Sequence, residues 1–155
     1  MIREARPADT GDLLRLIRAL AEYEREPEAV EATEEDLIDG LFGPDPVAHA
    51  YVAEVDGNVV GMAVWFLTFS TWTGRPSLYL EDLFVEPAYR KRRLGRALLT
   101  RLALKSVELG CARMEWSVLD WNEPAIGFYR ALGARPMRDW TTWRLTGDPL
   151  RSLAS

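Results

Sequence analysis

One stretch limits what this chain can fold into more than any other. It runs Tyr79-Leu80-Glu81-Asp82-Leu83-Phe84-Val85-Glu86-Pro87 and continues Ala88-Tyr89-Arg90-Lys91-Arg92-Arg93-Leu94-Gly95-Arg96-Ala97-Leu98-Leu99. A β-rich run halts at a proline, five basic residues and a glycine follow, and an amphipathic helix begins. A helix start presents unpaired backbone N–H groups and partial positive charge, so it suits an anion such as a pyrophosphate. Arg90, Lys91, Arg92, Arg93 and Arg96 reinforce that field. By composition alone, a solvated basic loop fits the same residues equally well.

The surrounding pattern sets the fold class. A short strand is predicted over 2–6, and a helix opens at Asp9 or Thr10, with Leu13, Leu14, Leu16, Ile17, Leu20 and Ala21 at helical spacing. Thr33-Glu34-Glu35-Asp36 reads as a capping box for a second helix ending before Gly43-Pro44. Two strand-like runs, 49–55 and 58–69, meet at the hairpin signal Asp56-Gly57. A strand over 79–85, a helix over 94–109 and a strand over 112–118 follow. A helix over 123–132 is capped by Asn122 with Pro124 in its first turn, and a final strand is expected over 138–145. The order β-α-α-β-β-β-α-β-α-β is mixed α/β with consecutive antiparallel strands in the middle. No repeat or low-complexity linker interrupts the chain, so a single domain over 1–155 is expected.

Composition narrows the partners. The 155 residues carry a formal charge of −5, which argues against generic nucleic-acid binding. The charge is divided: residues 22–39 hold nine acids and one arginine, whereas 86–101 hold six bases and one acid. A single cysteine, Cys111, excludes an intrachain disulfide, and with His49 it makes too few soft ligands for a zinc site. No metal is expected. The longest apolar run, Val59–Leu67, is too short for a membrane span, and the start Met1-Ile2-Arg3-Glu4 is unlike a secretory leader. A cytoplasmic protein is the expectation.

The segment Arg90-x-x-Arg93-x-Gly95 resembles the acetyl-CoA pyrophosphate loop of the GCN5-related N-acetyltransferases (GNAT). Tyr79–Val85 and the later Asp120-Trp121-Asn122-Glu123-Pro124-Ala125-Ile126-Gly127-Phe128-Tyr129 are similar to the spermidine/spermine N-acetyltransferase-like branch, as are Ile2-Arg3-x-Ala5 and Leu20–Glu24. The resemblance implies the GNAT fold: a splayed, mixed β-sheet flanked by helices, with acetyl-CoA between two parallel strands. The first loop glycine of the family is Arg93 here, for which an ordinary helical conformation is expected.

The resemblance also implies roles. Tyr129 becomes the general acid that protonates the CoA sulfur, and Glu81 the base that strips the substrate ammonium through water. The cofactor side would comprise Leu83, Phe84, Val85, Arg90, Lys91, Arg92, Arg93, Leu94, Gly95, Arg96, Asn122 and Ala125. Tyr23, Glu24, Trp72, Glu81, Glu115, Trp116 and Ser117 match substrate-contacting positions. Residue by residue, core packing for Tyr129 and an acidic helix face for Tyr23-Glu24 are the plain alternatives. Asp82 reads as a structural carboxylate, on the opposite strand face from Glu81. Cys111 reads as a structural residue rather than an acyl-enzyme nucleophile.

The segment Phe69-Ser70-Thr71-Trp72-Thr73-Gly74-Arg75 resembles the thialysine acetyltransferase branch and lacks the Asp-Pro-Trp of polyamine enzymes. A small primary amine is therefore the expected acceptor, thialysine-like ahead of polyamine, with Arg75 a candidate for an acceptor carboxylate. A protein lysine or N-terminal acetyltransferase and a non-catalytic acyl-CoA sensor remain as alternatives. A homodimer is expected, with Trp140–Leu145 as one candidate surface and a core strand as the other reading of those residues.

Overall fold

The computed structural model describes all residues from Met1 to Ser155. Two compact units make up the chain, Met1–Ser117 and Val118–Ser155. The first holds a five-stranded sheet in the order β1-β2-β3-β4-β5, with β1 Ile2–Glu4, β2 His49–Val55, β3 Asn58–Ser70, β4 Arg75–Val85 and β5 Arg113–Trp116. β1 to β4 pair antiparallel in succession, and β5 returns parallel to β4. Asp56 and Gly57, at φ 51° and 80°, make the hairpin turn between β2 and β3 that their sequence signals.

The helices arise where the apolar spacing and caps place them. α1 (Thr10–Tyr23) buries Leu13, Leu14 and Leu16. Its entry is fixed by the Asp9 carboxylate, which accepts from both terminal nitrogens of Arg3 at 2.8 and 3.0 Å and from the Arg6 N–H at 2.7 Å. α2 (Glu34–Phe42) carries the full capping box: the Asp36 N–H donates to Thr33 Oγ1 at 3.2 Å, and the Thr33 N–H to Asp36 Oδ2 at 2.9 Å. Both helices pack on one sheet face, where Leu13, Leu16 and Leu41 meet Ala50, Val52, Met62, Val64 and Phe84. α3 (Leu94–Glu108) covers the opposite face through Leu98, Leu99 and Leu102, and Arg101 lies over the ring of Tyr51, which alternates with Ala50 and Val52.

The second unit holds α4 (Glu123–Ala131) and α5 (Gly147–Ala154). Asn122 caps α4 as its sequence implies, its Oδ1 accepting from the Ala125 N–H at 3.4 Å. The expected strand over 138–145 does not form, and those residues are irregular and exposed. As a strand they would place one tryptophan on each face among Arg138, Asp139, Thr141 and Arg144, so neither face would be apolar. α5 follows instead, with Asp148 and Pro149 in its first turn and an Asp148–Arg151 ion pair at 2.6 Å.

Two smaller boundaries also differ. β4 begins at Arg75, before Pro76, because Pro76 sits near the hairpin end opposite Phe69, where the proline is tolerated at the start of the strand. β5 ends at Trp116 rather than 118, and that shortening shapes the site. No helix is long and apolar enough to cross a membrane.

Candidate active site

The parallel ladder runs from Ser77↔Arg113 to Leu80↔Trp116 and stops. β4 continues to Val85, still paired on its other side to β3 through Gly61, Met62, Ala63 and Val64. The edge of Glu81–Val85 that faces away from β3 therefore lacks a strand partner. This is the opening the expected fold requires: backbone groups of Leu83, Phe84 and Val85 on one side, and the end of β5 on the other.

The register decides which carboxylate faces which layer. Val64↔Asp82 and Met62↔Phe84 are directly paired, so Asp82 lies on the α1/α2 face with Phe84, Met62 and Val64. The ladder is irregular between Val64 and Trp65, and Glu81 falls at that irregularity, exposed and outside the one-to-one pairing. A bulge of this kind re-aims a side chain. Asp82 is mostly buried, and burial, then the neighbouring Glu81 and Glu24 carboxylates, push it from 3.8 up to about 6. Burial also raises Glu24, just past the end of α1. Asp82 is thus close to both the Glu81 and the Glu24 carboxylates, an arrangement that favours a cation beside it. Sequence alone reads Asp82 as structural; the visible signal was its position next to Glu81 in a strand with one apolar face.

The basic loop follows at once. Pro87–Arg92 forms a 3-10 turn, and Arg93 joins it to α3 at φ 58°, ψ 24°. The helical conformation expected of Arg93 is incorrect. Two right-handed turns meet at this residue, and the left-handed conformation makes the junction between them. A non-glycine residue there costs about 1 kcal/mol. A Cβ added at Gly95 would meet nothing within 4 Å, so the helix start is open to an approaching group. Arg92 stacks on Tyr89 at 5.1 Å. Arg90 turns inward: its guanidinium lies 5.3 Å from the Tyr23 ring centre and 5.4 Å from that of Phe84, and its Nε donates to the Val85 carbonyl at 3.0 Å.

On β5, Glu115 lies beside Tyr79 and pairs with Arg113 at 3.5 Å, while Trp116 lies beside Leu80 at the point where the strands part. Ser117 shares a hydrogen bond with the Tyr79 hydroxyl at 3.0 Å. Trp72 is elsewhere. It is 83% exposed at the tip of the β3–β4 hairpin, and β4 then travels about 23 Å from Arg75 to Asp82 at the usual strand rise. Trp72 and Arg75 therefore stand apart from Glu24 and Asp82 within one chain. In the second unit, Asn122 starts α4 and Tyr129 lies near its end, with the Phe128 and Tyr129 rings 5.6 Å apart. Burial pushes the Cys111 thiol up, away from the thiolate a nucleophile needs.

Comparison with known proteins agrees with this layout. Residues 12–134 match the acetyltransferase (GNAT) family. Over 99% of its length the chain is 39% identical to the thialysine N-epsilon-acetyltransferase of Sus scrofa, and 40% identical to that of Bos taurus, in each case spanning 96% of the relative. It is also 34% identical, over 93% of its length and 22% of the relative, to the human spermidine/spermine N(1)-acetyltransferase-like protein 1. Among solved structures, an integron cassette protein from V. cholerae superposes with a TM-score of 0.82 at 26% identity, covering 99% of this chain and 96% of that one. A sheet that opens beside a basic helix start, in a chain so close to these enzymes, belongs to an acetyltransferase of the GNAT family.

Proposed function

We propose that the protein moves an acetyl group from acetyl-CoA directly to the primary amine of a small substrate, with thialysine-like amino acids ahead of polyamines. The observation that carries this reading is the buried Asp82 carboxylate, with Glu81 adjacent on the strand and Glu24 near it, on the stretch of β4 that has lost its β5 partner. Acidic side chains there attract an ammonium, while the basic start of α3 attracts the phosphates of CoA. The names of the near-full-length relatives favour thialysine.

The open start of α3 fits an anionic co-substrate. Leu94, Gly95 and Arg96 would offer backbone N–H groups, and Lys91, Arg92 and Arg93 positive charge. Leu83, Phe84 and Val85 would pair with the amide-bearing arm, and Asn122 and Ala125 would contribute at the start of α4. On the acceptor side, Asp82 and Glu24 hold the ammonium, with Tyr23, Glu115, Trp116 and Ser117 as further lining. Glu81 takes the ammonium proton through water. The neutral nitrogen then attacks the thioester carbonyl carbon, the carbon–sulfur bond breaks, and Tyr129 protonates the departing thiolate. No acyl-enzyme is needed, in keeping with a Cys111 thiol held protonated.

The family match crosses the boundary between the two units, which supports a single functional domain over 1–155. A cytoplasmic homodimer belongs to the same reading, supported by the exposure of Trp140, Trp143 and Leu145. A second copy would also be the means for Trp72 to approach an acceptor.

CoA-thiol release from acetyl-CoA, measured with thialysine, ornithine and spermidine, tests the proposal. Saturable amine-dependent release is expected, and Tyr129→Phe should cut turnover roughly 10²–10⁴-fold. Release that no amine accelerates would leave an acyl-CoA sensor. Label transferred only to lysate protein would point to a protein acetyltransferase.

A further inference from the structure

Arg90 stands in the basic loop, yet its guanidinium is engaged on the acceptor side. It stacks on Tyr23 at the last turn of α1, lies against Phe84 on β4, and its Nε holds the Val85 carbonyl. One planar cation thus joins three elements: the loop it belongs to, the strand that precedes the loop, and the helix end that leads into Glu24.

We propose that Arg90 is a positioning residue that couples the anion-binding loop to the acceptor site, by holding Tyr23 and thereby Glu24. This rests on the function proposed above.

Three observations support the coupling. α1 is tied to the start of the same loop by the Arg15–Glu86 ion pair, and Arg15 also donates to the Val59 carbonyl at 2.9 Å. That end of the helix is anchored to the segment that leads into the loop, and the Arg90–Tyr23 stack joins the other end to the loop itself. Next, α1 terminates in a Schellman motif: the Arg25 N–H donates to the Glu22 carbonyl at 3.1 Å, and the Glu26 N–H to the Ala21 carbonyl at 2.8 Å. The left-handed residue of that motif is Arg25, at φ 65°, where glycine is usual. Apart from Asp56 in the hairpin turn, the left-handed non-glycine residues are Arg25 and Arg93. Each lies within three residues of one end of the stack, so both segments that it joins are held in costly conformations that surrounding contacts must maintain. Finally, Glu24 lies close enough to Asp82 to affect its charge, so displacing the helix end alters the acceptor's surroundings.

A ligand that orders the loop therefore orders Tyr23 and Glu24, and an acceptor held by Glu24 stabilises the loop in return. Such coupling is reciprocal. A solvent-exposed cation–aromatic stack such as Arg90 on Tyr23 corresponds to about 2- to 5-fold in an equilibrium.

Amide hydrogen exchange with acetyl-CoA as the probe reads this without turnover. In the wild type, saturating acetyl-CoA should slow exchange at the Glu24, Arg25 and Glu26 amides by about 2- to 5-fold. Arg90→Gln should abolish that protection, and so should Arg90→Lys, which keeps the charge but loses the planar stack and the Nε donor. Tyr23→Leu, which removes the aromatic partner without changing any loop residue, should do the same. In steady state at saturating acetyl-CoA, each variant should raise the amine KM with little change in kcat. The proposal is overturned if Arg90→Gln retains the protection, if the wild type shows none, or if Arg90→Lys behaves as wild type. A wild type that binds acetyl-CoA and shows the protection, yet acetylates no amine, would remove the proposed function and leave the coupling standing.

Discussion

The two halves of β4 are one strand with two different fates. From Ser77 to Leu80 it is paired on both sides, with β3 and with β5, and Ser77, Leu78 and Leu80 are buried. From Glu81 to Val85 it keeps β3 but loses β5, and it carries two adjacent carboxylates and leads into the basic loop. The first half satisfies its backbone internally and stabilises the sheet. The second leaves backbone groups and charge available, and that is where chemistry is placed. The difference comes from the end of the neighbouring strand at Trp116 as much as from β4 itself.

The largest contrast should come from removing a side chain in each half. Glu81→Gln should lower kcat by about 10²–10⁴-fold if the carboxylate is the base, with little loss of stability for an exposed residue. Ser77→Ala, which deletes a buried hydroxyl bonded to Arg113 Nε at 3.3 Å, should cost about 1 kcal/mol of stability and leave kcat within about twofold. Equal kinetic effects would erase the distinction.

A smaller effect is expected at the exit of the second half. Arg93→Gly relieves the left-handed conformation at φ 58° and should stabilise the fold by about 1 kcal/mol, read as a rise in melting temperature. It should also weaken acetyl-CoA binding if the Arg93 charge contributes. Unchanged stability would mean that the turn imposes no strain.

The smallest effect sharpens the comparison from β3. Trp65 is opposite Leu80, where the ladder becomes irregular, and its buried Nε1–H has no hydrogen-bond partner. Trp65→Phe removes both an unsatisfied donor and some apolar area, so its effect on denaturant stability should stay within about 1 kcal/mol. A loss of several kcal/mol would show that packing of the indole dominates.

Much of this is legible in the amino-acid sequence. The capping box at Thr33–Asp36, the Asp56-Gly57 hairpin and the Asn122 cap each follow from local chemistry, and each forms. The basic loop ahead of α3 was visible because charge and a helix start coincide within a few residues. What stayed hidden depends on pairing between distant segments. The irregular register that moves Glu81 out of the ladder is a property of β3 and β4 together. The inward turn of Arg90 requires Tyr23, sixty-odd residues earlier, to be beside it. Arg93 was misread because side-chain identity argues against a left-handed residue where the junction of two helical turns demands one. The strand expected at 138–145 failed for a local reason, the lack of a single apolar face.

Asp82 links the charge of the second half to both stability and activity. Its folded pKa, about 6, lies above the ordinary 3.8, so the folded chain holds this proton more tightly than the unfolded chain does. Ionisation then costs stability: this group's contribution declines as pH rises from about 4 to about 6, and the penalty is fully present above that range. Asp82→Asn should remove the slope and stabilise the protein at pH 7 by roughly 1–2 kcal/mol.

The same substitution provides the most direct test of acceptor capture on the α1 face of β4. The quantity is kcat/KM for thialysine at pH 7.5 and saturating acetyl-CoA, compared between wild type and Asp82→Asn. Loss of a mostly buried carboxylate that holds the ammonium predicts a fall of about 10- to 100-fold in a variant that is more stable than wild type. A kcat/KM within about twofold of wild type would contradict it, and would place the acceptor cation away from the second half of β4.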